Sequence, residues 1–459
     1  MPPDAVRGLG EQLERCGYLD TSLPEALEAP EPLATLAALF GLGSAVPGSA
    51  LAGVDAAALE ADGLLAREGE RVRAPLRISV WNGLLIAHDA GGGRTRPDVV
   101  PGPRESAQTL AHLTVRRAGQ TVLDLGCGCG PQALLAAGHA DRVVATDINP
   151  RAVALSRLSA RLNGTRAVES RVGDLYEPVA GERFGLLVSN PPYVISPDAD
   201  LLFRDSGLAP GELCRRIVAG AGERLEEGGV ASVLCSWGTG AGSGRWDVLR
   251  DWVAGSGCDA CAISYGPQDV VEYAARWTAL SAGASGASAQ AEAIARWMRF
   301  YADAGIEAIW FGALVLRRRS RAANWFAGLD AVRPPRRPGG AQLERIFAGQ
   351  DALAGRPEDA LLDHALLPAA PHQLVHALHW DGAGYEVADI RLVLEDDIGI
   401  DGPVDPLAVH VLLALDGRPV RAVVSTVAAE RGLDAAQLAA GSLPSLRRLY
   451  ERGFLVRSS

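Results

Sequence analysis

The sequence predicts an α/β protein, a parallel sheet with small helical modules at both ends. Three observations predict it. From about 104 to 320, apolar strand patterns alternate with helical ones, as crossover connections require. A glycine-rich turn follows the first strand of that series, and a later apolar run at 186–189 stops at Asn190-Pro191-Pro192-Tyr193. Two prolines cannot continue a sheet, because neither donates a backbone N–H and each fixes its φ. In open α/β sheets ligands bind outside the carboxyl ends of such strands, so the stretch marks a candidate site.

The elements follow in chain order. Residues 1–100 alternate short helical patterns with turns and reach a hairpin signal, Asn82-Gly83 between apolar runs, which suggests a winged-helix-like substrate-recognition domain. The body, 101–330, opens with the strand Val122-Leu123-Asp124-Leu125, followed by Gly126, Gly128 and Gly130 and then a helical pattern. Glycines allow a sharp turn and close approach to a ligand, and the helix start supplies free N–H donors. The next strand ends in Asp147, where an acid after the second strand of such a unit grips ribose hydroxyls. Asn149 and Pro150 then start a helix with a Leu155, Leu158, Leu162 stripe, and Asn163-Gly164 stops it. A third strand near 167–172 leads to Asp174, and a fourth delivers Asn190. The small-residue stretch 281–293 predicts a mobile loop before the final strands. "AVRPPRRPGG" at 331–340 has linker composition, and 331–459 holds the linker and a second winged-helix-like domain.

Bulk properties narrow the class. At 459 residues the chain is long enough for two or three domains, and its formal charge of -11 disfavours nonspecific attraction to nucleic acid. The first residues lack a basic region followed by an apolar core, and no apolar segment reaches the roughly 20 residues of a membrane span, which points to the cytoplasm. Seven cysteines without an export signal argue for reduced thiols. Nothing in the sequence bears on oligomeric state.

Asp124-Leu125-Gly126-Cys127-Gly128, an acid at Asp147, Asp174 and the tetrad Asn190 to Tyr193, in this order, resemble the class I S-adenosylmethionine-dependent methyltransferases of the small-domain group. That group includes release-factor glutamine N5-methyltransferases and ribosomal RNA guanine N2-methyltransferases. The resemblance covers roughly 100–320 and implies a Rossmann-like seven-stranded sheet with S-adenosylmethionine as cofactor. It implies that Gly126 to Gly130, Cys127 included, wrap the methionine part, that Asp147 binds the ribose, and that Ile148, Asp174 and Leu175 border the adenine. Asp124 either touches cofactor or organises the loop through backbone hydrogen bonds.

In the tetrad, the Asn190 side-chain oxygen, which also borders the cofactor, and the Pro191 carbonyl are two acceptors for the hydrogens of a planar nitrogen. Such acceptors favour the charge that develops as a methyl group arrives. Pro191 and Pro192 hold the geometry, and Tyr193 offers a face for stacking. The expected acceptor is an amide or amine nitrogen, with glutamine in a protein or peptide ahead of a nucleobase of RNA. A small molecule or peptide of specialised metabolism is a third reading. No metal is expected: Cys258 and Cys261 lack a second ligand pair, and His372, His376 and His379, which share one face if helical, lack an acid partner. Trp237 is a candidate pocket wall or core residue. Arg317-Arg318-Arg319 is either a solvated edge or, with Arg333, Arg336 and Arg337, a basic strip for RNA.

Overall fold

The computed structural model describes residues 4–51, 53–90, 96–282, 287–321 and 323–458. The chain divides into two compact units, one of residues 1–111, 116–262 and 267–324, the other of 112–115, 263–266 and 325–459.

The first unit is built on seven strands, β1 (Gln120–Leu125), β2 (Ala140–Asp147), β3 (Val168–Val172), β4 (Phe184–Ser189), β5 (Leu225–Thr239), β6 (Cys258–Asp269) and β7 (Ala308–Arg318), in the order β3-β2-β1-β4-β5-β7-β6. β1 pairs in parallel with β2 and β4, β2 with β3, and β4 with β5, whereas β7 runs antiparallel to β5. All six residues of β4 are buried, which its unbroken apolar run requires of a strand covered on both faces. The strand order reverses direction between β1 and β4, so a crevice opens at their carboxyl ends.

The helix Pro150–Leu162 behaves as its caps dictate: Asn149 accepts from the Arg151 N–H at 2.9 Å, Pro150 occupies the first turn, and the helix stops before Asn163. The Leu76–Trp81/Leu84–Asp89 hairpin turns at Asn82 (φ 49°) and Gly83 (φ 72°), the left-handed pair a two-residue turn demands. That hairpin is bonded to the helix. Asn163 accepts from the Leu85 N–H at 3.0 Å and donates to its carbonyl at 2.7 Å, and the Ser159 hydroxyl accepts from the Ala87 N–H. Three short antiparallel strands precede it, in the order Val46–Pro47, Arg71–Arg73, Ala66–Glu68.

The first helix, Ala5–Arg15, contains a built-in contrast. A Cβ at Gly10 would lie 1.9 Å from the Leu162 carbonyl oxygen, while one at Gly8 would meet nothing within 4 Å. Gly10→Ala is therefore expected to lower stability by about 1–3 kcal/mol or more through overpacking. Gly8→Ala should raise it by up to about 1 kcal/mol through helix propensity. Chemical denaturation of the two variants, which should move the midpoint in opposite directions, checks both.

The loop expected at 281–293 is corrected by two helices, Val270–Ala282 and Ala287–Asp303; residues 283–286 lie outside the described residues. Alanine is the best helix former, so a stretch of small residues running into Trp297 and Tyr301, buried at i and i+4, makes a helix with one apolar face.

In the second unit the strand Phe326–Asp330 stands next to β6, four residues of which group with this unit, so the sheet order has eight strands where seven were implied. The stretch 331–340 lies inside this unit, where Arg333 pairs with Asp397 at 2.6 Å and the Pro335 carbonyl bonds His112 at 2.9 Å. The three histidines expected on a helix face sit on the strand His372–Trp380, paired with Tyr385–Leu394. Alternation on a strand puts His379 opposite His372 and His376. No cluster of metal-binding side chains occurs among the described residues. The helices Pro406–Leu413, Val420–Arg431 and Ala435–Glu451 complete the unit with the paired strands Leu366–Pro368 and Leu455–Arg457. Among the described residues no helix is long and apolar enough to cross a membrane.

Candidate functional site

A cleft of about 280 Å3 opens at the carboxyl ends of β1, β2 and β4. It gathers Asp124, Gly126, Cys127, Gly128, Asp147, Ile148, Asp174, Leu175 and the whole tetrad Asn190 to Tyr193 along its walls; Gly130 alone of the expected residues stands behind it. A Cβ at Gly130 would come 2.7 Å from the Ser156 hydroxyl, so this glycine serves the seating of the loop on the helix Pro150–Leu162. Gly128 (φ 54°) has nothing within 4 Å of that position, which leaves its backbone open to the cleft.

The loop is tied by two acids and a carbonyl. The N–H groups of Gly126 and Cys127 donate to the Thr146 carbonyl at 2.8 and 2.9 Å. Asp147 accepts from the Gly128 and Asn149 N–H groups, both at 2.9 Å, so one carboxylate locks the glycine loop to the start of the next helix. Asp124 accepts from the Ala133 N–H at 2.9 Å in the first turn of the helix Pro131–Ala136, a bond of the loop-organising kind.

Burial pushes the Asp124 carboxyl from its ordinary 3.8 up to about 7, with repulsion from Asp147 adding and the Ala133 N–H opposing. Burial raises Asp147 as well, against its two N–H partners. Between pH 3.8 and about 7 the folded protein keeps a proton on Asp124 that the unfolded chain has lost. Stability should therefore fall as pH rises through this interval and level off above it. Unfolding titrations across about pH 4 to 8 check this: Asp124→Asn should flatten the decline, leaving the share that Asp147 contributes. An unchanged slope in the variant would refute the assignment.

At the β4 end, Asn190 donates its amide N–H to the Ser106 hydroxyl at 3.2 Å, and Tyr193 rests against Phe311 with ring centroids 5.2 Å apart. The chain beyond the tetrad is held by the two inserted helices. Tyr273 accepts from the Ile195 N–H at 3.2 Å, Tyr301 donates to the Ile195 carbonyl at 2.9 Å, and Trp297 donates to Asp198 at 3.2 Å, which also pairs with Arg296. Buried Arg204, paired with Asp205 at 2.6 Å, forms another part of the wall.

Sequence reasoning missed Ser106, Trp277 and Arg204, all of which border the cleft. Ser106 stands in the first turn of the helix Glu105–His112 and Trp277 in an inserted helix; neither carries a motif, and both reach the site through long-range folding. Of the two readings open for Trp237 the structure bears out core: it is fully buried, donates to the Arg245 carbonyl at 2.8 Å and stacks near Trp310. Arg317 is not a solvated edge residue either, being buried with Asp259 at 3.0 Å. Cys258 and Cys261 are free and buried, and burial raises their thiols to about 11 and about 12.

Residues 105–238 match the family pattern called Methyltransferase small domain. The release factor glutamine methyltransferase of Xylella fastidiosa is 36% identical over 155 residues, 30% of this chain and 56% of that protein. That of Bordetella pertussis is 34% identical over 205 residues, 38% of this chain and 75% of that protein. The chain thus spans little more than half the length of the first relative. Trm5b from Pyrococcus abyssi, a solved structure, aligns over 55% of this chain and 62% of its own at 16% identity and a TM-score of 0.32. The chain belongs to the class I S-adenosylmethionine-dependent methyltransferases, in the small-domain family.

Proposed function

We propose that the protein is an S-adenosylmethionine-dependent N-methyltransferase whose acceptor is the side-chain amide of a glutamine in a protein. The observation that carries this reading is the Asn190 amide: its nitrogen is engaged by Ser106, which leaves its oxygen, with the Pro191 carbonyl, for the hydrogens of an incoming amide. An amide nitrogen is a poor nucleophile because its lone pair is delocalised. Two fixed acceptors favour the positive charge that grows on it and hold it in line for transfer. Tyr193, with one side against Phe311, can offer a face to the planar acceptor.

The residues present fit the cofactor. The open backbone at Gly126 and Gly128 suits the methionine part, with Cys127 between them, and Asp147 suits the ribose hydroxyls. Ile148, 59% exposed at the cleft, with Leu175 and Asp174, suits the adenine, since an apolar side chain there gains by being covered. When bound, the cofactor supplies an activated methyl group on a sulfonium. The names of the two relatives support glutamine in a release factor as acceptor. Protein over RNA is supported by two of the arginines offered as a basic strip: Arg317 is paired with Asp259 and Arg333 with Asp397. In this reading 101–330 is the catalytic domain and acts in the cytoplasm. The flanking regions 1–100 and 331–459 serve substrate capture as winged-helix-like modules, which the three-stranded order near the first end supports.

Purified protein, labelled S-adenosylmethionine and a bacterial release factor test the proposal. Mass spectrometry should find one methyl group on one glutamine. A release factor left unmodified while RNA from the same cells acquires the label would overturn it.

A further inference from the structure

The hairpin of the second unit, His372–Trp380 with Tyr385–Leu394, has one face that begins as core and ends uncovered. Even-numbered residues from Leu374 to Trp380 share that face, and pairing sets Leu374 opposite Leu392, His376 opposite Ile390, Leu378 opposite Val387 and Trp380 opposite Tyr385. Ile390, Leu392 and Leu394 are buried at its base. Further out, Leu378, Trp380, Tyr385 and Val387 are 51 to 71% exposed, and the two rings meet edge to face with centroids 5.1 Å apart. Single apolar residues scattered on a surface need no explanation, but four contiguous ones that prolong a core face do.

The strand His372–Trp380 is also an edge: among the described residues its sheet continues only through Tyr385–Leu394 to Gly402–Pro403. Monomeric proteins guard such edges with charge, proline or a bulge. This strand holds no lysine, arginine, aspartate, glutamate or proline, and the register shift near its middle leaves the extra residue, Ala388, on the other strand. We propose that this edge pairs antiparallel with the same strand of a second copy of the chain, about a two-fold axis at His376. Trp380 of each copy then lies beside His372 of the other and Leu378 beside Leu374, so each uncovered end prolongs the covered base of its partner. A two-fold interface sets one surface against itself, and a strand free of fixed charge meets no like charge there. Nucleic acid does not fit the same face, because exposed Asp381 and Glu386 flank the two rings and repel phosphate. The four exposed side chains offer on the order of 400 Å2 per copy, since an aromatic side chain buries about 150–250 Å2 when fully covered. Nine residues of paired backbone, about 30 Å long, bring the contact towards the roughly 800 Å2 per partner of a stable interface.

The inference does not depend on which acceptor is methylated. Sedimentation of the intact chain tests it, and the protein should be a dimer at micromolar concentration. Trp380→Ser combined with Tyr385→Ser, at exposed positions, should leave circular dichroism and the unfolding midpoint unchanged while raising the dimer dissociation constant about a hundredfold or more. His376→Glu and His376→Lys should each give monomers, through like charges facing across the axis, and an equimolar mixture of the two should dimerise again. A protein that stays monomeric, a dimer untouched by the ring variant, or a mixture that fails to recover overturns the proposal. So does a monomer that captures a release factor and loses it in the ring variant, because the face then belongs to a different protein.

Discussion

Asn190→Ala is expected to reduce turnover by about 10²-fold or more while the affinity for S-adenosylmethionine stays within a small factor. In the proposed reading the asparagine oxygen meets the acceptor's hydrogens, and its contribution grows as the nitrogen becomes positive, so its removal is felt in kcat. Nothing in the loop depends on it: the glycine turn is tied by Thr146, Asp147 and Asp124. Calorimetry with the cofactor and single-turnover kinetics separate the two quantities. Loss of cofactor binding in this variant would place the methyl donor elsewhere in the cleft.

Asp147→Ala is expected to do the reverse. It removes the acceptor of two N–H groups, those of Gly128 and Asn149, together with the proposed ribose ligand. Losing hydrogen bonds to a charged group, at about 1.5–3 kcal/mol each, weakens cofactor binding by about 10²-fold. Under saturating cofactor, turnover should recover towards that of the unaltered protein. If Asp147→Ala binds cofactor normally while its saturated turnover is lost, the roles of the two strand ends are exchanged.

What could be seen in the sequence was what depends on neighbours in the chain. The strand ending at Asn190, the caps at Asn149 and Pro150 and the turn at Asn82-Gly83 are local chemistry, and each stands where its residue types require. Asp124 is legible as a loop acid because the spacing of strand, turn and helix is short, whereas Asp147, read as a ribose ligand, also proves to tie the loop. The rest needed the third dimension. Trp277 and Ser106 come to the cleft from helices with no motif, and the histidines of 372–379 have helical spacing that the partner strand at 385–394 overrides. The small residues before Trp297 read as a loop because low complexity hides alanine's helix propensity, and the apolar stripe of Trp297 and Tyr301 makes them a helix.

The two tyrosines that grip Ile195 carry a consequence for biosynthesis. The bonds that shape the glycine loop join residues at most 20 positions apart and are complete once Asn149 has been made. Those that pin the chain just beyond the tetrad reach 78 and 106 residues ahead, to Tyr273 and Tyr301. As the polypeptide leaves the ribosome, the nucleotide-sized cradle can therefore form early, while the acceptor wall waits for helices translated much later. On the proposed reading, a nascent chain would have its place for the donor before it has a place for anything to be methylated.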